Sequence, residues 1–414
     1  MEKSANKKRQ AYLLIFLCWL AYTVSYFGKV NYAANITQII DFYGITKAQA
    51  GSVSTFFFFA YGIGQVVNGV MCRKYNMKWM IFISLTVSAS INFLVAVSDN
   101  FEMIKWLWMI NGFVMSILWP TLIRLLSETL PQEALSLSSV AMGTTVAIGT
   151  LTIYGLSALY VAFDKFKLAF YTAAFAVALV AVIWLIIYKK AVSIAKDEEN
   201  TNKIKPSVVN DKKETSSKEK KIIIATICVL CFYAIGVNLM KDGLTTWVPA
   251  ILKEEFAVND SLSILLTLFL PVLAIFGNAF ALNIHKKIPD YINHCVTVFA
   301  VVTVLLGIII GSLTLKIVVF MLLGLIAVNF LASSLNSLIT SIFPLFMRGK
   351  VNSGLFAGVL NGFCYVGSAL SSYGLGAVAD NFGWTAVFYT LGSFCIITFI
   401  VWIGYHFYKK NSIG

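Results

Sequence analysis

The chain has 414 residues, of which 59% are hydrophobic and only 12% are charged. A soluble domain carries about 25% charged residues, so there is too little polar surface here to coat a water-soluble body of this length. The net charge of +13 does not point to nucleic acid, because the lysines and arginines lie mainly at the ends of apolar runs, with no aromatic–basic interleaving on a polar face.

The apolar runs predict twelve spans, at 11–37, 49–72, 79–98, 103–126, 136–162 and 167–188, then 221–248, 260–284, 290–311, 315–343, 352–378 and 384–408. A helical span needs about 20 mostly apolar residues to cross roughly 30 Å of hydrocarbon. The first run follows Lys3, Lys7, Lys8 and Arg9. It is too long for a cleavable signal and lacks a small-x-small cleavage site, so it reads as a span with a cytoplasmic start. Between 189 and 220 the composition turns polar and lysine-rich, as in a flexible linker outside the membrane.

These features predict an all-α integral membrane protein, with twelve transmembrane helices in two pseudo-symmetric six-helix bundles. The bundles are expected over 1–188 and 221–414, joined by a cytoplasmic linker over 189–220. With the N-terminus inside, the inner segments collect the N-terminal cluster, Arg73, Lys74, Lys78, the linker, Lys286, Lys287, Arg348, Lys350, Lys409 and Lys410. The outer loops hold only Lys47, Lys105, Lys165, Lys167, Lys253 and Lys316. That asymmetry places both termini in the cytoplasm, and the short loops fit a bacterial inner membrane. A monomer in the lipid bilayer is expected, with a small anionic substrate as its partner.

Two lysines fall inside spans, Lys29 and Lys241, each about twenty residues after a basic cluster. A lysine at a helix centre costs about 2.5–3.5 kcal/mol on insertion scales, which makes such residues candidates for function. The bland reading is that a long lysine stem snorkels to the headgroups. If the halves are related by an axis along the membrane normal, the two lysines sit at similar depth facing one central cavity. Tyr22, Tyr26 and Lys29 are spaced i, i+4, i+7 on one helical face, which would suit an oxyanion. Interfacial tyrosine belts are the alternative. Asn31, two residues on, points partly away.

Asn238 lies one turn before Lys241 and could line the same cavity. Asp242 follows Lys241 directly, and adjacent helical residues diverge, so the two need not pair. Asp242 could neutralise a lysine from another span, relay protons, or cap the helix near Gly243. Arg124 ends the fourth span and is expected to pair with Glu128 at i+4, as a gate or structural ion pair. A substrate contact is the alternative. Cys228 and Cys231 form a lone CxxC inside an apolar run with no His nearby, and read as packing residues. His285, His294 and His406 lack metal spacing. There is no catalytic set, metal site, cofactor motif or phosphate-binding loop for ATP, so the chain is not expected to be an enzyme. Transport would run on a gradient or by exchange.

Several segments carry a family resemblance. The run SYFGKVNY resembles the first-span motif of the organophosphate:phosphate antiporters of the major facilitator superfamily, such as the glycerol-3-phosphate and hexose-phosphate transporters. NLMKDGLTTWVPAILKEEF resembles the start of their second half, with Trp247, Pro249 and Leu252 kept. Trp119, Pro120 and Arg124 resemble the fourth-span pattern, and GFCYVGSALSSYGLGAVADNFGW the eleventh span and its loop.

The resemblance implies that Lys29 and Lys241 stand where two arginines clamp the substrate phosphate, helped by Tyr22, Tyr26 and Tyr365. It also shows departures. Lysine keeps the charge but not the planar fork of arginine. Thr145 replaces a substrate-contacting histidine of the glycerol-3-phosphate members. In the loop after the second span Gly69 is kept, but Arg73 and Lys74 stand where an aspartate and an arginine are usual.

The expected activity is exchange of a small organic phosphate, of sugar phosphate or glycerol phosphate type, for inorganic phosphate by alternating access. A proton-coupled symporter of an organic anion such as a sugar acid, with Asp242 as the proton site, is one alternative. A membrane sensor of sugar phosphate is the other.

Overall fold

A computed structural model describes residues 2–71, 75–193, 217–346 and 353–413. The middle of the expected linker, 194–216, lies outside the described residues, as do Cys72, Arg73, Lys74, Arg348 and Lys350. The described residues form helices and connecting turns, with no strands. Among the described residues, ten helices are long and apolar enough to cross a membrane, and an eleventh results if the bent pair Asp260–Ala274 and Ala279–Lys287, broken by 49°, is one span.

The last of these, α17, runs from Ser353 to Ile413 but contains Gly383 at φ 78°. A straight helix of that length would reach about 90 Å, three times a bilayer core. Only glycine adopts such a φ without strain, so the chain turns there. Dividing α17 at Gly383 gives the twelve passes read from the sequence.

Helix starts follow local chemistry. Asn76, Asn100, Asn259 and Asp290 each accept a backbone N–H two or three residues on, at 3.0, 3.3, 2.8 and 2.9 Å. They cap α5 (Met77–Val97), α6 (Phe101–Met115), α11 (Asp260–Thr267) and α14 (Tyr291–Thr314). Such caps satisfy amides that a helix start leaves unpaired. Outward positions carry large apolar side chains such as Phe175, Ile186 and Val304, as a hydrocarbon solvent demands.

The chain groups into two compact units, Met1–Asn35 with Ala60–Val208, and Ile36–Phe59 with Val209–Gly414. In the first, α1 (Glu2–Ser25) packs on α8 (Gln132–Val161) and α9 (Leu168–Val192), and α5 packs on α6 and α9. Trp108, Tyr154, Phe170 and Trp184 fill its interior. In the second, the long α10 (Ser217–Phe256) packs on α15 (Val318–Ser337) and α17, around Tyr233, Trp247, Phe299 and Phe388.

Four spans are less regular than their apolar runs predict, the fourth dividing into α6 and α7 (Leu118–Thr129). The first breaks into α1, α2 (Phe27–Ala34) and α3 (Ile36–Tyr43). The run over 260–284 divides into α11, α12 (Phe269–Ala274) and α13 (Gly277–Lys287). The helix α15 leads into a π-turn at Leu338–Ile342.

Candidate functional site

In the first unit the chemistry gathers at the break after α1. Tyr26 lies between α1 and α2, and Lys29 lies in the first turn of α2. Two glycines let neighbouring helices reach this break. A Cβ on Gly28 would lie 2.6 Å from Asn92 Nδ2, and one on Gly149 of α8 would lie 2.4 Å from the Thr23 carbonyl. The Gly28 carbonyl accepts from Asn111 Nδ2 at 2.7 Å and Asn92 Nδ2 at 3.3 Å. Asn31 is buried, donates to Asn92 Oδ1 at 2.9 Å, and accepts the Tyr32 amide at 3.1 Å. Asparagine side chains thus serve the polar backbone that a broken helix exposes, because buried polar groups must be paired. Asn31 belongs to this scaffold, in keeping with its expected direction away from Lys29.

The Lys29 ammonium sits 4.3 Å from the ring centre of Tyr61 and 5.0 Å from that of Tyr26. Ring faces attract a cation through the quadrupole without cancelling its charge. Tyr22 packs edge-on against Tyr26 at 5.5 Å and lies tilted against Trp119 at 4.8 Å. The expected grouping of Tyr22, Tyr26 and Lys29 therefore survives the helix break. The ammonium lies against the aromatic faces of Tyr26 and Tyr61.

In the second unit Lys241 and Asp242 lie on α10. Their side chains do pair, with Lys241 Nζ 3.0 Å from Asp242 Oδ1. The divergence of neighbouring Cβ directions did not require this contact; the lysine stem is long enough to curl back. The other carboxylate oxygen, Oδ2, accepts a hydrogen bond from the Ser368 hydroxyl of α17. The pair is accessible, with 30% of the lysine side chain and 21% of the aspartate side chain exposed.

Polar side chains fix the backbone beneath this pair. Asn329 Nδ2 on α15 donates to the Lys241 carbonyl at 3.1 Å and to Thr245 Oγ1 at 3.0 Å. The hydroxyls of Thr245 and Thr246 return to the carbonyls of Lys241 and Asp242 at 2.7 and 2.8 Å. Asn238 is buried one turn earlier, and its amide reaches Asn336 Oδ1 at 3.1 Å, which also accepts from Cys364 Sγ at 3.4 Å. Asn336 precedes the π-turn by two residues, a distortion often found at functional sites.

The remaining candidates lie elsewhere. Tyr365 is half-buried and stacks on Phe58 at 6.3 Å. Arg124 Nε donates to Glu128 Oε1 at 2.7 Å, the expected i+4 pair. Thr145 is buried with its hydroxyl returned to the Met142 carbonyl at 2.6 Å, so it offers no group in place of the histidine. Cys228 is exposed and Cys231 buried. Among the described residues no three His, Cys, Asp or Glu gather as metal ligands, although His285 and His294 stack at 6.0 Å.

Tyr61, Ser368, Asn329 and Asn336 were not singled out from the sequence. Each is a polar group within an apolar run, a weaker form of the signal that marked the two lysines.

A family model for the Major Facilitator Superfamily matches residues 18–358. The chain is 26% identical to a probable hexose phosphate transport protein of Chlamydia pneumoniae over 130 residues, which cover 31% of this chain and 29% of that protein. It is 25% identical to the membrane sensor protein UhpC of Salmonella typhimurium over 114 residues, 28% of this chain and 26% of the sensor. The matched stretch is under a third of the length of either relative. Over 395 residues the chain is 20% identical to sugar phosphate exchanger 3 of Homo sapiens, covering 84% of this chain and 78% of that one.

Among solved structures, a bacterial homolog of the human lysosomal transporter Spinster, inward-facing and occupied, superimposes with a TM-score of 0.73 at 13% identity, covering 97% of each chain. A mutant of the peptide transporter POT gives 0.75 at 12% identity, covering 94% of this chain and 93% of that one. At such identities the likeness is one of fold.

Proposed function

The chain belongs to the Major Facilitator Superfamily, and we propose that within it the chain exchanges a small organic phosphate for inorganic phosphate. It is a multi-pass membrane transporter of small substrates, not an enzyme. The proposed substrate is of sugar phosphate or glycerol phosphate type. The proposed setting is a bacterial inner membrane, with a monomer, both termini cytoplasmic, and bundles over 1–188 and 221–414. Lys29 and Lys241 hold the anion, Tyr22, Tyr26, Asn238 and Tyr365 assist, and the Arg124–Glu128 pair takes part in gating.

The observation that carries this reading is the placement of Lys29 against Tyr26 and Tyr61. Ring faces hold an ammonium in place through their quadrupole, a setting in which a lysine can meet an incoming anion. The names of the relatives, a hexose phosphate transport protein and a sugar phosphate exchanger, point to phosphate esters.

The Asp242 carboxylate already offsets Lys241, so exchange needs its own test. Proteoliposomes loaded with inorganic phosphate should take up labelled glucose 6-phosphate faster than empty ones. Equal uptake in both would refute exchange.

The similarity to a membrane sensor favours a second reading, in which the chain binds a sugar phosphate and signals to a partner. Uptake by the purified chain alone in proteoliposomes would exclude it.

A further inference from the structure

We propose that the place in the first unit where α5 begins and α9 ends is a binding site for an anionic phospholipid. Lys78 meets the lipid phosphate at its centre, and Lys189 and Lys190 flank it.

The charge there is uncompensated. Lys78 is the second residue of α5, and neither α5 nor α9 contains an aspartate or a glutamate. The first turn of a helix carries unpaired amides and partial positive charge, so it favours an acid and disfavours a lysine. Asn76 accepts the Lys78 amide at 3.0 Å, but this cap is neutral. The last turn of α9 adds Lys189 and Lys190, both exposed. Among the described residues no carboxylate meets any of these three lysines. By contrast Lys105, Lys167 and Lys316, also near helix ends, each meet one.

The fold holds Lys78 in place. Trp184 of α9 is fully buried and donates its indole N–H to the Lys78 carbonyl at 3.0 Å, which fastens the start of α5 to the end of α9. Tyr188, one turn on, packs against Trp184 at 5.3 Å. The Lys78 ammonium lies 5.3 Å from the ring centre of Trp79 and 6.0 Å from that of Tyr188. Lys78 is thus half-buried against two rings, which attract a cation but bring no anion.

A lipid matches both halves of this surface. Beside the three cations, Trp79, Ile83, Val182 and Ile186 are apolar and exposed, a wall for acyl chains. A phosphodiester with its tails attached meets the lysines and that wall together, whereas free phosphate meets only the lysines. Basic groups between helix ends suit anionic headgroups in this way.

The test titrates the purified full chain, in a neutral detergent, with phosphatidylglycerol or phosphatidylcholine and counts bound lipid by native mass spectrometry. Wild type should bind phosphatidylglycerol at least about tenfold more tightly than phosphatidylcholine. Lys78→Gln should weaken phosphatidylglycerol by about fivefold, the scale of one lysine at an anionic headgroup. Lys78→Arg should stay close to wild type. The control is Lys286→Gln with Lys287→Gln, an exposed basic pair in the last turn of α13, which should leave binding unchanged. If Lys78→Gln does not fold, Lys189→Gln with Lys190→Gln alters only exposed side chains and should show a loss at least as large. A loss in the control equal to that in the Lys78 variant would assign the preference to general surface charge and overturn the site. Equal binding of the two lipids would overturn it too. So would release of bound phosphatidylglycerol by an equal concentration of inorganic phosphate, which would mark a site for free anions.

Discussion

Asp380 holds Lys47 twice, accepting its backbone amide at 3.1 Å and lying 3.6 Å from its ammonium. Its second oxygen accepts the Ala48 amide at 2.7 Å, so a carboxylate from α17 caps the start of α4 (Lys47–Met71). A negative charge is well placed there, because the first amides of a helix are unpaired and carry partial positive charge. Lys47 also meets Glu254 at 3.1 Å, and Lys253 bridges Asp41 and Asp260 at 2.6 and 3.1 Å. Thr55 Oγ1 donates to the Ala369 carbonyl at 2.7 Å and accepts the Tyr373 amide at 3.1 Å. These contacts lie within the second compact unit and fasten segment 36–59 to α10 and α17.

Under the proposed division into bundles over 1–188 and 221–414, alternating access requires this fastening to open in part of the cycle. Cysteines at Thr55 and Tyr373, joined by a short bifunctional reagent, should stop transport while leaving the protein folded. Asp380→Ala should weaken the fastening by about 1–2 kcal/mol, the scale of a lost cap with its charge. Faster labelling of a cysteine at Thr55 in that background is the readout. Full transport by the cross-linked protein would show that the segment stays docked throughout.

Tyr61 should matter through its ring. Tyr61→Leu removes a cation–π partner of Lys29, an interaction worth about 0.5–2 kcal/mol, so phosphate affinity should fall by up to about thirtyfold. Tyr61→Phe should bind nearly as well as wild type. Equal losses in the two variants would instead assign the role to the phenol hydroxyl.

The break at Tyr26 depends on the close approach of α8. Gly149→Ala places a methyl 2.4 Å from the Thr23 carbonyl, whereas the same change at Gly155 meets nothing within 4 Å. Overpacking against backbone costs about 1–3 kcal/mol. Thermal unfolding of the two variants should therefore separate clearly, with Gly149→Ala the lower and Gly155→Ala near wild type. Coincident melting curves would mean that α8 yields freely.

Orientation is tested by labelling from each side of the membrane. A cysteine at Asp164 should react only from outside, and one at Asn210 only from the cytoplasm. Reaction of both from one side would break the topology proposed for the chain.

The parts of this molecule that were legible in the sequence are those set by composition over a single stretch. Twelve apolar runs predict twelve passes, and Lys29 and Lys241 stand out because charge is costly in lipid. The Arg124–Glu128 pair follows from helical spacing alone. What was not legible depends on partners far along the chain. The first span breaks where Asn92, Asn111 and Gly149 meet it, and none of these marks residue 26 in advance. The Lys241–Asp242 pair was missed because helical spacing describes Cβ directions, while a lysine reaches well beyond its Cβ. Ser368 is one of several serines in its run, and only the fold brings its hydroxyl to Asp242. Segment 36–59 precedes the rest of the first six spans in the chain, yet its ion pairs group it with α10 and α17.

The central claim is that Lys29 and Lys241 bind the transported anion, and phosphate:phosphate exchange in proteoliposomes tests it most directly. Lys29→Ala and Lys241→Ala should each lower exchange by about a hundredfold or more, a loss of about 2.7 kcal/mol. Arginine at both positions should keep or strengthen phosphate binding, because its planar fork matches two phosphate oxygens. Full exchange by the Lys29→Ala, Lys241→Ala double variant would contradict the account and leave both lysines as anchors to the headgroups.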